Sequence, residues 1–278
     1  MTDAPSSQAL LTRITEALER IAPPVPPPAD LNAHAAYHWD GAALRPVTRF
    51  RALPLSLIVG VDRQKDAVLA QMRRHGAGAA AHDILLWGAR GTGKSALVKA
   101  GVAAVQAETL PLALIEANAG ALFSLPRLFA LLADSPRRFI LFIDDIAFDG
   151  DEAEPRLIRS MLEGGAEARP DTVRMIVTSN RRNIVARSMA EQDDPINARD
   201  VVEDRLALAD RFGLKLGFQK VVQDDYLAMV AAYAAHFGLD YDAQDALNFA
   251  QQRGGQSGRT AWHYAVECAG AAGRTLEF

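Results

Sequence analysis

The segment Gly88-Ala89-Arg90-Gly91-Thr92-Gly93-Lys94-Ser95 fits G-x-x-x-x-G-K-[ST] at every fixed position. These residue types suit one task, the holding of a phosphate chain. Glycines let the backbone curl so that successive N–H groups point inward, at the positive end of a following helix. Lys94 adds a flexible cation for the terminal phosphates, and the Ser95 hydroxyl can ligate Mg²⁺. Asp83-Ile84-Leu85-Leu86-Trp87 before the loop reads as a short buried strand, and Ser95 through Ala96 to Ala100 as the first turns of a helix. Gly91-Thr92-Gly93-Lys94-Ser95-Ala96 also fits the dinucleotide pattern G-x-G-x-x-A, but that pattern gives Lys94-Ser95 no role. The sequence therefore predicts a site for a nucleoside triphosphate.

Phe139-Ile140-Leu141-Phe142-Ile143-Asp144-Asp145 is an apolar run ending in two carboxylates. A buried strand of this kind delivers Asp144 to the sheet edge beside the phosphate loop, where it can hold Mg²⁺ through water alongside Ser95. Asp145 either polarises an attacking water or supports the magnesium shell. Met175-Ile176-Val177-Thr178-Ser179-Asn180 is a second apolar strand with a polar end. The Asn180 amide there can hydrogen-bond the attacking water or the γ-phosphate. By itself an asparagine after a strand serves equally as a turn residue or helix cap.

These groups need a scaffold that brings loops to one edge. From Leu57 the chain alternates apolar strands with helices, the pattern of a three-layer α/β domain with a parallel sheet. Strands are predicted at Ile84–Trp87, Leu112–Asn118, Phe139–Asp144, Arg174–Ser179 and Leu214–Phe218, with helices near 62–75, 93–107, 124–134, 155–163 and 201–211. From Asp224 onward the pattern is helical with a break at Gly254-Gly255, which predicts a small helical lid domain. Residues 8–21 form an amphipathic helix carrying Leu10, Leu11, Ile14, Leu18 and Ile21 near one face. Pro23-Pro24-Val25-Pro26-Pro27-Pro28 follows as a stiff spacer. Residues 37–55 read as short extended pieces around Trp39 and Phe50 that lean on the main domain. The division is thus 1–50 for helix, linker and extended segment, 51–220 for the α/β nucleotide-binding domain, and 221–278 for the lid.

The phosphate loop, Asp144-Asp145, Asn180, Asp210-Arg211-Phe212-Gly213 and Ser257-Gly258-Arg259-Thr260-Ala261 occur in the order of an AAA+ ATPase, which the chain resembles from about residue 57 to 261. The resemblance makes them Walker A, Walker B, sensor 1, arginine finger and sensor 2. Leu57-Ile58-Val59-Gly60-Val61-Asp62 is similar to the superfamily's box II, which implies that Ile58, Val59 and Gly60 lie against the adenine. The Leu208–Gly213 segment looks like the finger of the bacterial Holliday-junction branch-migration motor, and Asp144-Asp145 like the Walker B of bacterial helicase loaders. A bacterial family of unknown function, number eight-one-five, is more similar still. Gly60-Val61-Asp62-Arg63-Gln64-Lys65, Leu86 to Ser95, Leu162-Glu163-Gly164-Gly165, Ala168-Arg169-Pro170 and Thr178 to Arg182 carry that likeness.

The superfamily resemblance implies a homo-oligomeric ring, most often a hexamer, with ATP between subunits. Arg211 would reach the neighbour's γ-phosphate, and Arg259 would touch phosphates within its own subunit. Such motors carry glutamate where this chain has Asp145; the shorter side chain implies slow hydrolysis. The reading is an ATPase that remodels a protein or nucleic-acid partner. The alternative is a nucleotide-gated scaffold or loader that hydrolyses rarely; the finger and sensor set disfavours a small-molecule kinase.

Bulk properties agree. A net charge of −4 and pI near 5.9 give no overall basic footprint for nucleic acid, leaving Arg73-Arg74, Arg137-Arg138 and Arg181-Arg182 as local candidates. No apolar stretch reaches the ~20 residues of a membrane span. Without a signal-peptide pattern, and with Cys268 as the single cysteine, a reducing cytoplasm is expected, with Cys268 a small buried filler. His34 and His38 lack partner ligands, so no zinc is predicted; the Phe123-Ser124-Leu125-Pro126 turn reads either as a pore-side loop or, as expected here, with Phe123 in the core.

Overall fold

A computed structural model describes residues 6–21, 29–146, 158, 161–162, 169–180 and 209–277. Seven strands form one sheet: β1 (Ala36–Trp39), β2 (Leu44–Pro46), β3 (Ile84–Gly88), β4 (Leu112–Ala117), β5 (Arg138–Ile143), β6 (Val173–Ser179) and β7 (Leu214–Phe218). Their order is β2-β1-β4-β5-β6-β3-β7, and every pairing is parallel except the β1–β2 hairpin. All five predicted strands are present. β4, β5 and β6 are almost continuously apolar because helices cover both sheet faces.

On one face lie α2 (Asp62–Gly76) and α3 (Lys94–Ala107), whose Val68, Met72, Leu97 and Val102 pack on Ile84, Leu86, Ile140 and Phe142. On the other, α4 (Leu125–Leu132) and the 3-10 turn before it cover Leu85, Leu141 and Val177. The helix predicted near 155–163 is described only at Ile158, Met161 and Leu162, all helical, and that near 201–211 only from Ala209 onward; the rest lies outside the described residues. The fold is α/β, a three-layer parallel-sheet domain followed by a helical lid of α5 (Gln223–Phe237), α6 (Ala243–Gln252) and α7 (Gly258–Ala271). Gly254 and Gly255, with φ of +88° and +115°, make the turn between α6 and α7. Asp242 and Ser257 cap those two helices, accepting from the backbone N–H groups of Asp245 and Thr260.

The leading segment is more deeply built in than leaning pieces would be. β1 pairs with β4, the Trp39 indole N–H donates to Ser124 Oγ at 2.8 Å, and Arg137 donates to the carbonyls of Leu31, His34 and Leu112. Phe123 departs from expectation: it is 65% exposed. The Asn118 side chain caps the 3-10 turn at Ala119–Ser124. With three residues per turn, Leu122 and Leu125 share the inward side and Phe123 faces out. Cys268 is half-buried at the margin of the lid core. α1 (Ser7–Ile21) is helical as predicted, with Leu10, Leu11 and Ile14 exposed. Among the described residues no helix is long and apolar enough to cross a membrane.

Candidate nucleotide site

Because β3, β5 and β6 are parallel and in register, Gly88, Asp144 and Asn180 all leave the sheet at its C-terminal edge. Strand order reverses beside β3, the place where open α/β sheets form a crevice. The loop after β3 is shaped by three left-handed glycines, Gly88, Gly91 and Gly93. Gly88 has a second constraint: a Cβ there would lie 2.0 Å from the Phe218 carbonyl oxygen. Gly93 hands the chain to α3, whose N-terminus faces the loop. The Lys94 ammonium is buried and donates to the carbonyls of Gly88 (2.9 Å) and Ala89 (2.8 Å) and to Asn180 Oδ1 (3.0 Å). Burial pulls its pKa below the usual lysine range, against the raising influence of Asp144 and Asp145.

The carboxylates are held by a residue that the sequence pattern does not single out. Thr178, 1% exposed, donates its hydroxyl to Asp144 Oδ1 at 2.5 Å and accepts the Asp145 backbone N–H at 2.8 Å. Ser95 Oγ donates to the same Asp144 oxygen at 2.7 Å, so both predicted metal-site residues are already in contact. Asp145 sits in the left-handed region at φ +57°, a conformation aspartate tolerates better than most residues. Its Oδ1 accepts from the Asn180 amide, and its Oδ2 pairs with the Arg90 guanidinium at 3.4 Å.

A cavity of about 700 Å³ runs from this cluster up to the lid. Arg90 through Ala96, Asp144, Asp145 and Asn180 line its polar end. Ile58 and Val59 line the cavity as well, together with Met229 and Tyr233 of α5 and Trp262 of α7. Those three lid residues were not predicted, yet the spacing was readable. Arg259 and Trp262 are three apart on α7, and Met229 and Tyr233 four apart on α5, so each pair shares a helix face. Gly88 and Ala89 contribute carbonyls to Lys94 rather than cavity wall, and Gly60 packs against Asp225. The lid also touches the loop directly, since the Gly258 N–H donates to the Gly91 carbonyl at 2.7 Å.

Arg259 lines the cavity and Arg211 does not. Arg211 precedes β7, whose first residue, Leu214, pairs with Ile84, whereas Phe218 at its far end pairs with Gly88. It therefore lies off the opposite edge of the sheet, more than about 13 Å away at roughly 3.3 Å per strand residue. Of the arginine pairs considered for nucleic acid, Arg137 and Arg138 bond backbone carbonyls and Arg73 pairs with Glu108. Arg181-Arg182 lies outside the described residues.

This geometry matches known folds at low identity. RuvB of Thermotoga maritima aligns with a TM-score of 0.53 at 17% identity, over 81% of this chain and 68% of that one. Aeropyrum pernix ORC2, solved in ADPNP and ADP complexes, gives 0.54 at 15%, over 79% and 65%. The ORC1 protein of the same organism, solved in complex with DNA, gives 0.55 at 16%, over 78% and 62%. The chain thus spans about two thirds of the length of these structures. No curated protein matches it. The family described as a protein of unknown function (DUF815) matches residues 32–272, which take in the whole sheet and all three lid helices, and the chain belongs to that family, with the AAA+ P-loop ATPase fold.

Proposed function

We propose that this chain is an ATPase that binds Mg·ATP between the α/β domain and lid and hydrolyses it at a subunit interface to remodel a macromolecular partner. The observation that carries the reading is the convergence of Lys94, Ser95, Asp144, Asp145 and Asn180 at the mouth of one cavity. The triphosphate would lie along the N–H groups of residues 88–95, with Lys94 as its buried cation. Ser95 and Asp144, sharing one hydrogen bond, would hold Mg²⁺ between them, and the ion would neutralise charge developing on the phosphates. Asp145 and Asn180, in contact with each other, would orient the attacking water. The base would rest between Ile58 and Val59 below and Met229, Tyr233 and Trp262 above.

Arg211 supports a ring, in which it serves the neighbour's site from the far sheet edge. Arg211→Ala and Lys94→Ala should each lack turnover, the first by ~10³-fold if it is a true finger. Mixed together they should regain partial activity, because some sites then join an intact loop to an intact finger. No recovery despite demonstrated subunit exchange would rule out the ring.

A second reading, a slow nucleotide-gated scaffold or loader, is favoured by Asp145, which is short and has both oxygens engaged. Turnover on the protein alone, and its stimulation by DNA or a candidate protein, distinguishes the two.

A further inference from the structure

Arg90 occupies a position that the phosphate-loop pattern leaves open, and its surroundings give it a task. Two cations face the Walker carboxylates from this loop, and they are held differently. Lys94 is buried and fixed by three acceptors. The Arg90 side chain is 75% exposed, and its contact to Asp145 Oδ2, at 3.4 Å, is longer than a good charge-assisted bond of about 2.8 Å. An exposed pair of that length contributes at most about 1 kcal/mol and exchanges readily. Its consequence for Asp145 is larger. With Asn180 on one oxygen and Arg90 on the other, both oxygens are engaged and the carboxylate's charge is compensated, which makes it a weaker acceptor for a proton of an attacking water.

We propose that Arg90 is a triphosphate sensor: it restrains Asp145 until a terminal phosphate takes over its guanidinium, and that exchange frees Asp145 to act. The inference rests on the nucleotide-site reading above. A terminal phosphate carries more charge than a carboxylate and offers several oxygens to the planar guanidinium fork, so it competes well for Arg90. A diphosphate lacks that group and leaves the pair in place. Arg90 is thus the open end of a chain of contacts, Arg90–Asp145–Asn180–Lys94, that spans the polar mouth of the cavity.

The test is calorimetry with Mg·ADP and a Mg-bound non-hydrolysable ATP analogue on wild type, Arg90→Ala, Arg90→Lys, Asp145→Asn and the double variant Arg90→Ala/Asp145→Asn. Arg90→Ala should weaken the analogue by about 10-fold and ADP by less than 2-fold, and Arg90→Lys should recover part of the loss. Asp145→Asn releases Arg90 in advance, so it should tighten the analogue more when Arg90 is present than when it is combined with Arg90→Ala. That non-additivity isolates the exchange from the simple loss of a negative charge. Equal weakening of both nucleotides, or an additive cycle, overturns the sensor. A wild-type chain that binds neither nucleotide overturns the site reading itself. Unchanged melting temperatures guard against unfolding as the cause.

Discussion

Thr178 shows how much of a site can depend on one small side chain. Its hydroxyl is the only side-chain group hydrogen-bonded to both Asp144 and Asp145 among the described residues, donating to the Asp144 carboxylate and accepting the backbone N–H of Asp145. Buried hydrogen bonds to charged groups are worth about 1.5–3 kcal/mol, so their loss should be visible in metal binding. Thr178→Val keeps the volume and removes both bonds. It should raise the Mg²⁺ needed for half-maximal turnover by about 10-fold and lower the maximum, while Thr178→Ser stays near wild type. A Mg²⁺ titration of Thr178→Val that overlays wild type would remove Thr178 from the site. The phosphate loop and Asp144 were legible because their spacing is fixed by the phosphates and metal they would hold. Thr178 was not, because a β-branched residue inside an apolar strand reads as strand-forming, and its cross-strand partner is set only by register.

At the scale of elements, α2 is tied to the sheet at both ends. The Gln64 amide donates to the Gly217 carbonyl, and His75 Nε2 lies 3.1 Å from the carbonyls of both Phe139 and Thr172. Two carbonyl acceptors require that Nε2 carry the proton. Burial foremost, then the Arg174 charge, holds the His75 pKa down to about 4, against 6.5 in a free imidazole, while its two backbone bonds oppose the shift. The native ring is therefore neutral where the unfolded chain would bind a proton. Stability from this group is complete above about pH 6.5 and is lost as pH falls through about 4, by up to about 3 kcal/mol. His75→Gln can keep a donor to the carbonyls without titrating. Melting temperature against pH should thus fall more steeply for wild type than for His75→Gln between pH 6.5 and 4.5. Parallel curves would show that His75 does not set the acid limb. Nothing in the sequence marked this histidine, because its burial depends on where α2 lands. The five core strands and α2, α3 and α4 were legible, since apolar period and glycine breaks survive in any packing arrangement that covers both sheet faces. Phe123 was misjudged because a 3-10 turn has a different period from the α-helix, and nothing local announced the change.

At the scale of the molecule, the question is where the nucleotide-binding unit begins. Sequence composition placed the boundary near residue 50, because Ala36–Trp39 is too short to declare itself a strand. The sheet instead continues through β1 and β2, and Tyr37 and Trp39 are fully buried against Ile115, Leu125 and Phe139. Removing two such aromatics costs about 3–5 kcal/mol each, comparable together with the whole stability of an ordinary domain. It would also expose the β4 edge and leave Arg137 without the carbonyls of Leu31 and His34. Arg51, at the cavity wall, is carried on the segment that follows the hairpin. We therefore place the start of the unit near residue 29, with α1 not part of it; the proline run at 23–28 lies outside the described residues. A chain beginning at residue 29 should melt within a few degrees of the full chain and bind Mg·ATP with the same affinity. A chain beginning at residue 51 should be insoluble, or melt at least about 15 °C lower, and bind nucleotide weakly or not at all. If the shorter chain matches the longer in both melting temperature and affinity, the β1–β2 hairpin is an ornament on the sheet, and the boundary read from composition was the right one.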